Sequence, residues 1–111
     1  MSEATYTTVC RVDDLPHGTR QRFEVDGAGI VVAHIYHRYY AFIDRCPHQG
    51  LPMSNCFFTA GDVVCAWHGA CFILETGRER EQADNDGSLQ MYEVRIHDDE
   101  VQVGPALPLA E

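Results

Sequence analysis

The chain has 111 residues, which is enough for one domain with one core. A hydrophobic fraction of 45% with 10% aromatic residues is typical of a folded globular protein and excludes a disordered chain. The formal net charge of −9 disfavours binding to nucleic acid and to anionic membrane surfaces.

The first segment, residues 1–6, has neither the basic nor the apolar stretch of a secretory signal. No stretch approaches the roughly 18 to 20 apolar residues that cross a bilayer. We therefore expect a soluble, cytoplasmic protein. In that compartment, 5 cysteines favour metal binding over disulfides.

The N-terminal part of the chain predicts short β-strands rich in threonine, valine and isoleucine. An Asp26-Gly27 pair indicates a turn before the third strand. The third and fourth predicted strands are separated only by His37-Arg38, which indicates a hairpin around these two residues. The predicted ranges are 6–12, 20–25, 28–36 and 39–43.

The stretch 45–76 has a different character, because it holds four of the five cysteines and is punctuated by loop-forming residues. These are Pro47, Gly50, Pro52, Gly61 and Gly69. We expect a loop-rich segment here, with at most a turn of helix over 51–55. Nothing in the chain predicts an amphipathic helix of ten or more residues.

The C-terminal part returns to the strand pattern over 89–96 and 100–103, joined through His97-Asp98-Asp99. The simplest architecture is a single all-β domain over 1–111 with antiparallel strands. Residues 1–44 and 77–111 would form its β base, and 45–76 would form an inserted metal-binding subdomain.

Two short motifs, Cys46-Pro47-His48 and Cys65-Ala66-Trp67-His68, each offer one thiolate and one imidazole. Two sulfur and two nitrogen donors divided in this way match the ligation of a Rieske [2Fe–2S] centre. Gly50 and Gly69 would let backbone N–H groups approach the cluster sulfides. Structural zinc is the alternative, although zinc sites usually group like ligands, as in Cys-x-x-Cys.

These motifs, with the neighbouring Gly50, Gly69-Ala70-Cys71-Phe72 and Thr76-Gly77, resemble the Rieske-type ferredoxins of bacterial oxygenase systems. The resemblance implies one Rieske [2Fe–2S] cluster at the tip of an antiparallel β sandwich or barrel. It implies that Cys46 and Cys65 bind the buried iron and that His48 and His68 bind the outer one. The chain departs from the pattern in one respect, because 78–90 lacks the usual proline.

The resemblance also indicates the subtype. High-potential members have a disulfide-forming cysteine in each ligand loop, where this chain has Leu51 and Trp67. They also place a serine and a tyrosine hydroxyl near the cluster sulfurs, where this chain has Ala70 and Phe72. Hydrogen bonds to sulfur favour the reduced cluster, so their absence predicts a low reduction potential.

Three functions follow as hypotheses. The first is a monomeric carrier of single electrons from a flavin-dependent ferredoxin reductase to a terminal oxygenase, without substrate turnover of its own. The second is a small Rieske subunit fixed in another oxidoreductase, as in nitrite reductases. The third is a zinc-stabilised or redox-sensing binding module. Cys56 and Cys71 are predicted to be buried free thiols, although a disulfide between them is conceivable, and Cys10 lies outside the cluster region.

Overall fold

Nine β-strands form two antiparallel sheets in the computed structural model, which describes residues 5–45, 52–53, 56–59, 61–65, 71–78 and 88–108. One turn of 3-10 helix, Val12–Asp14, follows the first strand. The strands are β1 (Thr7–Arg11), β2 (Thr19–Val25), β3 (Ala28–Ile35), β4 (Arg38–Ile43), β5 (Phe57–Thr59), β6 (Asp62–Val64), β7 (Cys71–Ile73), β8 (Met91–His97) and β9 (Glu100–Ala106).

The larger sheet has six strands in the order β1-β9-β8-β4-β3-β2. Both ends of the chain contribute to it, because β1 pairs with β9 and β4 pairs with β8. Its two edge strands, β1 and β2, approach each other, so the sheet is close to a closed barrel. The prediction of an antiparallel all-β fold is confirmed.

The smaller sheet consists of β5, β6 and β7 in chain order. A loop-rich segment was predicted for this part of the chain, so these strands were missed. Each of these strands has only three residues, and Gly61, with a φ of 89°, lies between β5 and β6. Such three-residue runs are too short to show the alternation that identifies a strand.

Two buried clusters stabilise the fold, and β3 separates them. Successive side chains of a strand point to opposite faces, so Val32 packs inside the larger sheet with Ala41 and Val101. Val31 and Phe42 point the other way and pack against Val63 and Phe72 of the smaller sheet. The two sheets are therefore joined by one apolar interface. Within the described residues, no helix is long and apolar enough to cross a bilayer.

Candidate metal centre

Three of the four predicted ligands, Cys46, His48 and His68, lie outside the described residues, as do Gly50 and Gly69. The fourth, Cys65, is described. Among the residues that the structure describes, no group of three or more histidine, cysteine or acidic side chains is arranged to hold a metal ion. The geometry of the site therefore comes from Cys65 and from the residues next to the first motif.

Cys65 directly follows β6 and is 1% exposed. Phe58, Val63 and Phe72 lie opposite one another in the register of the smaller sheet and face the buried interface. Because strand faces alternate, Cys65 shares the face of Val63, and it packs in the same buried cluster as Met53. A thiol in this position is shielded from solvent and has a fixed direction.

A second buried thiol, Cys56, is the neighbour of Cys65. Phe57 pairs with Val64, so extending that register by one residue places Cys56 opposite Cys65. Cys56 carries a free thiol and is 1% exposed. Burial is the main cause that raises the pKa of this thiol to about 11.

The structure excludes the conceivable Cys56–Cys71 disulfide. Cys56 precedes β5 and Cys71 begins β7, with β6 between them. Two strand spacings amount to about 9.6 Å, whereas a disulfide needs Cα atoms within about 7 Å. The prediction of a free, buried thiol at Cys56 is confirmed.

The chain just before the first motif is held in place by Asp44, which follows β4 and precedes Cys46 by two residues. Its Oδ1 accepts a hydrogen bond of 2.6 Å from the backbone N–H of Met53, and its Oδ2 lies 2.7 Å from Nε of Arg22. Its backbone N–H donates to the carbonyl oxygen of Gly29 at 2.9 Å. The hydrogen bond to Asp44 is the largest cause that raises the pKa of Arg22.

Asp44, just before the first motif, and Cys65, at the start of the second, both lie close to Cys56. Burial raises the pKa of the Cys56 thiol, the positive charge of Arg20 lowers it, and the negative charge of Asp44 raises it. The Arg20 guanidinium lies 5.5 Å from the centre of the Phe58 ring. Two arginines of the edge strand β2, Arg20 and Arg22, thus extend towards the segment that carries the cysteines.

Three histidines, His17, His34 and His37, lie close together in the structure. His37 belongs to the β3–β4 turn, as the predicted hairpin placed it, with a φ of 62°. Its ring stacks on His17 at 4.8 Å, and His17 meets His34 edge-on at 5.2 Å. His34 also stacks on Tyr39 at 4.0 Å, so these rings form one aromatic group.

The donor chemistry fits an iron–sulfur cluster. Thiolate is the ligand that binds such clusters, and Cys65 provides a buried sulfur on a rigid strand end. The sequence places a second cysteine, Cys46, two residues after the anchored Asp44. Asp44 was not predicted from the sequence, because its partners come from other segments. The one signal in the sequence is its position two residues before Cys46.

Comparison with known proteins supports the same chemistry. Residues 5–93 match the model of the Rieske [2Fe-2S] domain family, and such a domain implies a [2Fe–2S] cluster. The chain is 32% identical over 96 residues to apoptosis-inducing factor 3 of Mus musculus, an alignment that covers 86% of this chain. The chain spans only 16% of the length of that relative.

Smaller proteins match along more of their own length. The ferredoxin component of biphenyl 2,3-dioxygenase from Rhodococcus jostii is 30% identical over 74 residues, which cover 67% of this chain and 69% of that protein. Among solved structures, the ferredoxin of carbazole 1,9a-dioxygenase from Nocardioides aromaticivorans superimposes with a TM-score of 0.80 at 25% identity. That superposition covers 91% of this chain and 98% of the other.

Proposed function

The chain belongs to the Rieske [2Fe–2S] domain family, and from that premise we propose that it is a soluble, cytoplasmic, low-potential ferredoxin. It carries single electrons from a flavin-dependent reductase to a terminal oxygenase. The observation that carries this proposal is the structural agreement along nearly the whole length of a dioxygenase ferredoxin. A likeness that extends over an entire small electron carrier favours the carrier function over a role as one part of a large enzyme.

In this proposal one [2Fe–2S] cluster is held by Cys46, His48, Cys65 and His68. The bound cluster supplies reversible storage of one electron. Cys65 holds its sulfur away from water, since the residue is 1% exposed, and this supports its assignment to the inner iron together with Cys46. His48 and His68 bind the outer iron and lead the electron to a partner.

We also propose that the cluster-binding subdomain comprises 45–76 and that the β base comprises 1–44 and 77–111. The strands of the smaller sheet fall inside the first range, and those of the larger sheet fall outside it. The subdomain packs on the base through Val31 and Phe42, so the base gives the cluster a rigid support. A monomer that meets its partners briefly suits this arrangement.

The second candidate is a Rieske module in lasting association with another oxidoreductase. The alignment with apoptosis-inducing factor 3, a much longer protein, favours this candidate. The two functions differ in the lifetime of the complex. A carrier dissociates after each transfer, whereas a fixed module co-purifies with its partner in constant ratio.

Coulometric titration followed by rapid mixing tests the proposal. We expect the natively purified protein to take up about one electron per chain. The reduced protein should then pass that electron to the oxidised terminal oxygenase of a biphenyl dioxygenase system and elute separately from it in gel filtration. Failure to take up an electron would overturn the proposal, and a stable complex with a partner from the native host would favour the second candidate.

A further inference from the structure

We propose that Asp44 is a positioning residue for the cluster, because it fixes both ends of the segment that carries Cys46 and His48. The inference rests on the proposed function, which assigns those two residues as ligands. Those two residues lie outside the described part of the chain, whereas Asp44 lies within it. It acts by holding together residues 44 and 53, two described positions that flank that segment in the sequence.

The hydrogen bonds of Asp44 define those two points. Its backbone N–H binds the Gly29 carbonyl at 2.9 Å, which extends the pairing of β3 and β4 by one step. Its Oδ1 accepts from the Met53 N–H at 2.6 Å, so one side chain closes the segment from 44 to 53. The Met53 carbonyl in turn accepts from the Cys56 N–H at 3.0 Å. The closure therefore continues to the residue opposite Cys65.

The Asp44 side chain is itself held in place. It is only 6% exposed, and its Oδ2 lies 2.7 Å from Nε of Arg22, whose Nη1 lies 3.0 Å from Glu24. The Arg22 guanidinium crosses over β3 at Gly29, where a Cβ would overlap it. The absence of a side chain at Gly29 thus gives Arg22 a direct path to the carboxylate.

The chemistry of this contact explains why a carboxylate suits the position. Two oxygens accept from two donors that come from different directions, the Met53 N–H and the Arg22 guanidinium. An asparagine keeps one acceptor oxygen but places an N–H₂ group against the second donor. An alanine satisfies neither. Loss of the closure gives the ligand segment more freedom, which favours release of the cluster and alters its ligand geometry.

The test uses the cluster-loaded protein with Asp44→Ala, Asp44→Asn and Arg22→Ala, and with Glu75→Ala as the control. Glu75 forms an exposed ion pair with Arg38 at 3.2 Å, so its loss removes a carboxylate–arginine contact away from the ligand segment. The rate of cluster loss to an anaerobic iron chelator is followed by visible absorbance. Electron paramagnetic resonance (EPR) spectra of the reduced proteins report ligand geometry.

We expect Asp44→Ala to lose its cluster about tenfold faster than the unsubstituted protein, with Asp44→Asn and Arg22→Ala in between. We also expect shifted EPR g values in the Asp44 variants, a change that a general loss of stability does not cause. Glu75→Ala should stay within about twofold and keep its g values. Should Asp44→Ala fail to fold, Asp44→Asn and Arg22→Ala carry the same expectations.

Unchanged cluster retention and unchanged g values in the Asp44 variants would overturn the inference while leaving the proposed function intact. An unsubstituted protein that binds no iron–sulfur cluster would overturn both. Equal acceleration in Glu75→Ala would also overturn the inference, because it would show a nonspecific response to the loss of a carboxylate.

Discussion

Cys65 and Cys56 are adjacent buried thiols with different expected roles. Both are 1% exposed and belong to one apolar cluster. Only Cys65 is followed three residues later by a histidine, as the ligand motif requires. Burial alone therefore does not distinguish a ligand from a packing residue at this site.

Serine substitutions separate the two roles. We expect Cys65→Ser to abolish the Rieske spectrum, because the hydroxyl oxygen is a poor substitute for a thiolate on iron. Cys56→Ser should retain the cluster, and Cys10→Ser, on β1, serves as the distant control. Visible absorbance and iron content measure the result. Loss of the cluster in Cys56→Ser together with retention in Cys65→Ser would contradict the ligand assignment.

The double substitution Ala70→Ser with Phe72→Tyr is expected to raise the reduction potential. Phe72 is 0% exposed, so a hydroxyl added there cannot reach water. If each hydroxyl favours the reduced cluster by about 1 kcal/mol, each raises the potential by about 40 mV. Protein-film voltammetry measures the change.

Phe57→Tyr is the matched control for that change. It adds the same hydroxyl on the outer face of the smaller sheet, where Phe57 is 59% exposed. Its potential should stay within about 10 mV of the unsubstituted value, about 0.2 kcal/mol. An unchanged potential in the double variant, with the cluster intact, would contradict the low-potential account.

The ligand residues could be proposed from sequence because their chemistry and spacing are local. Asp44 could not, since its function depends on Arg22, Gly29 and Met53, which come from three other segments. The grouping of His17 with His34 and His37 was missed for a similar reason.

At the scale of elements, the long strands were predictable, and their turns were less so. The Asp26-Gly27 turn was identified from its sequence, and Gly27 adopts a φ of 83°, which glycine accepts readily. The β3–β4 turn lies at Tyr36-His37, one residue earlier than predicted, with φ values of 55° and 62°. Non-glycine residues in this conformation give little sequence signal.

The β8–β9 turn shows the same limit. It is formed by Asp98 and Asp99, with φ values of 53° and 64°. His97, which was predicted to belong to the turn, pairs with Glu100 as the last position of β8. The existence of the long strands was therefore predictable from β-branched runs, and turn position only where a glycine marked it.

Two glycines with similar backbone angles should differ in their tolerance of a side chain. Gly27 has a φ of 83° with open space around its Cβ position, so Gly27→Ala should cost about 1 kcal/mol of unfolding free energy. Gly77 has a φ of 81°, and a Cβ there would overlap the Leu89 carbonyl oxygen and lie 2.8 Å from Cγ of Met91. Gly77→Ala should cost about 2–4 kcal/mol.

Denaturant unfolding of the two variants measures these costs. The structural reason for the difference is that two hydrogen bonds hold Gly77 against the chain that a Cβ would meet. Its N–H donates to the Ile73 carbonyl at 2.6 Å, and its own carbonyl accepts from the Leu89 N–H at 2.7 Å. Equal destabilisation by the two substitutions would contradict the placement of 77 against 89.

At the scale of the whole molecule, the net charge of −9 predicts how partners are found. Long-range attraction to a basic patch raises association rates and is screened by salt. We expect the rate of electron transfer to the oxygenase to fall about tenfold between about 0.05 and 0.5 M salt. Stopped-flow absorbance gives the rate, and an unchanged spectrum over that range is the control for cluster integrity. A rate of electron transfer that does not depend on salt would contradict the proposal of a transient carrier.

Elemental analysis of natively purified protein tests the central claim most directly. The account predicts about two iron atoms and about two acid-labile sulfides per chain, with zinc near zero. About one zinc per chain, with little iron and no labile sulfide, would contradict it and would identify the cysteine and histidine motifs as a structural zinc site.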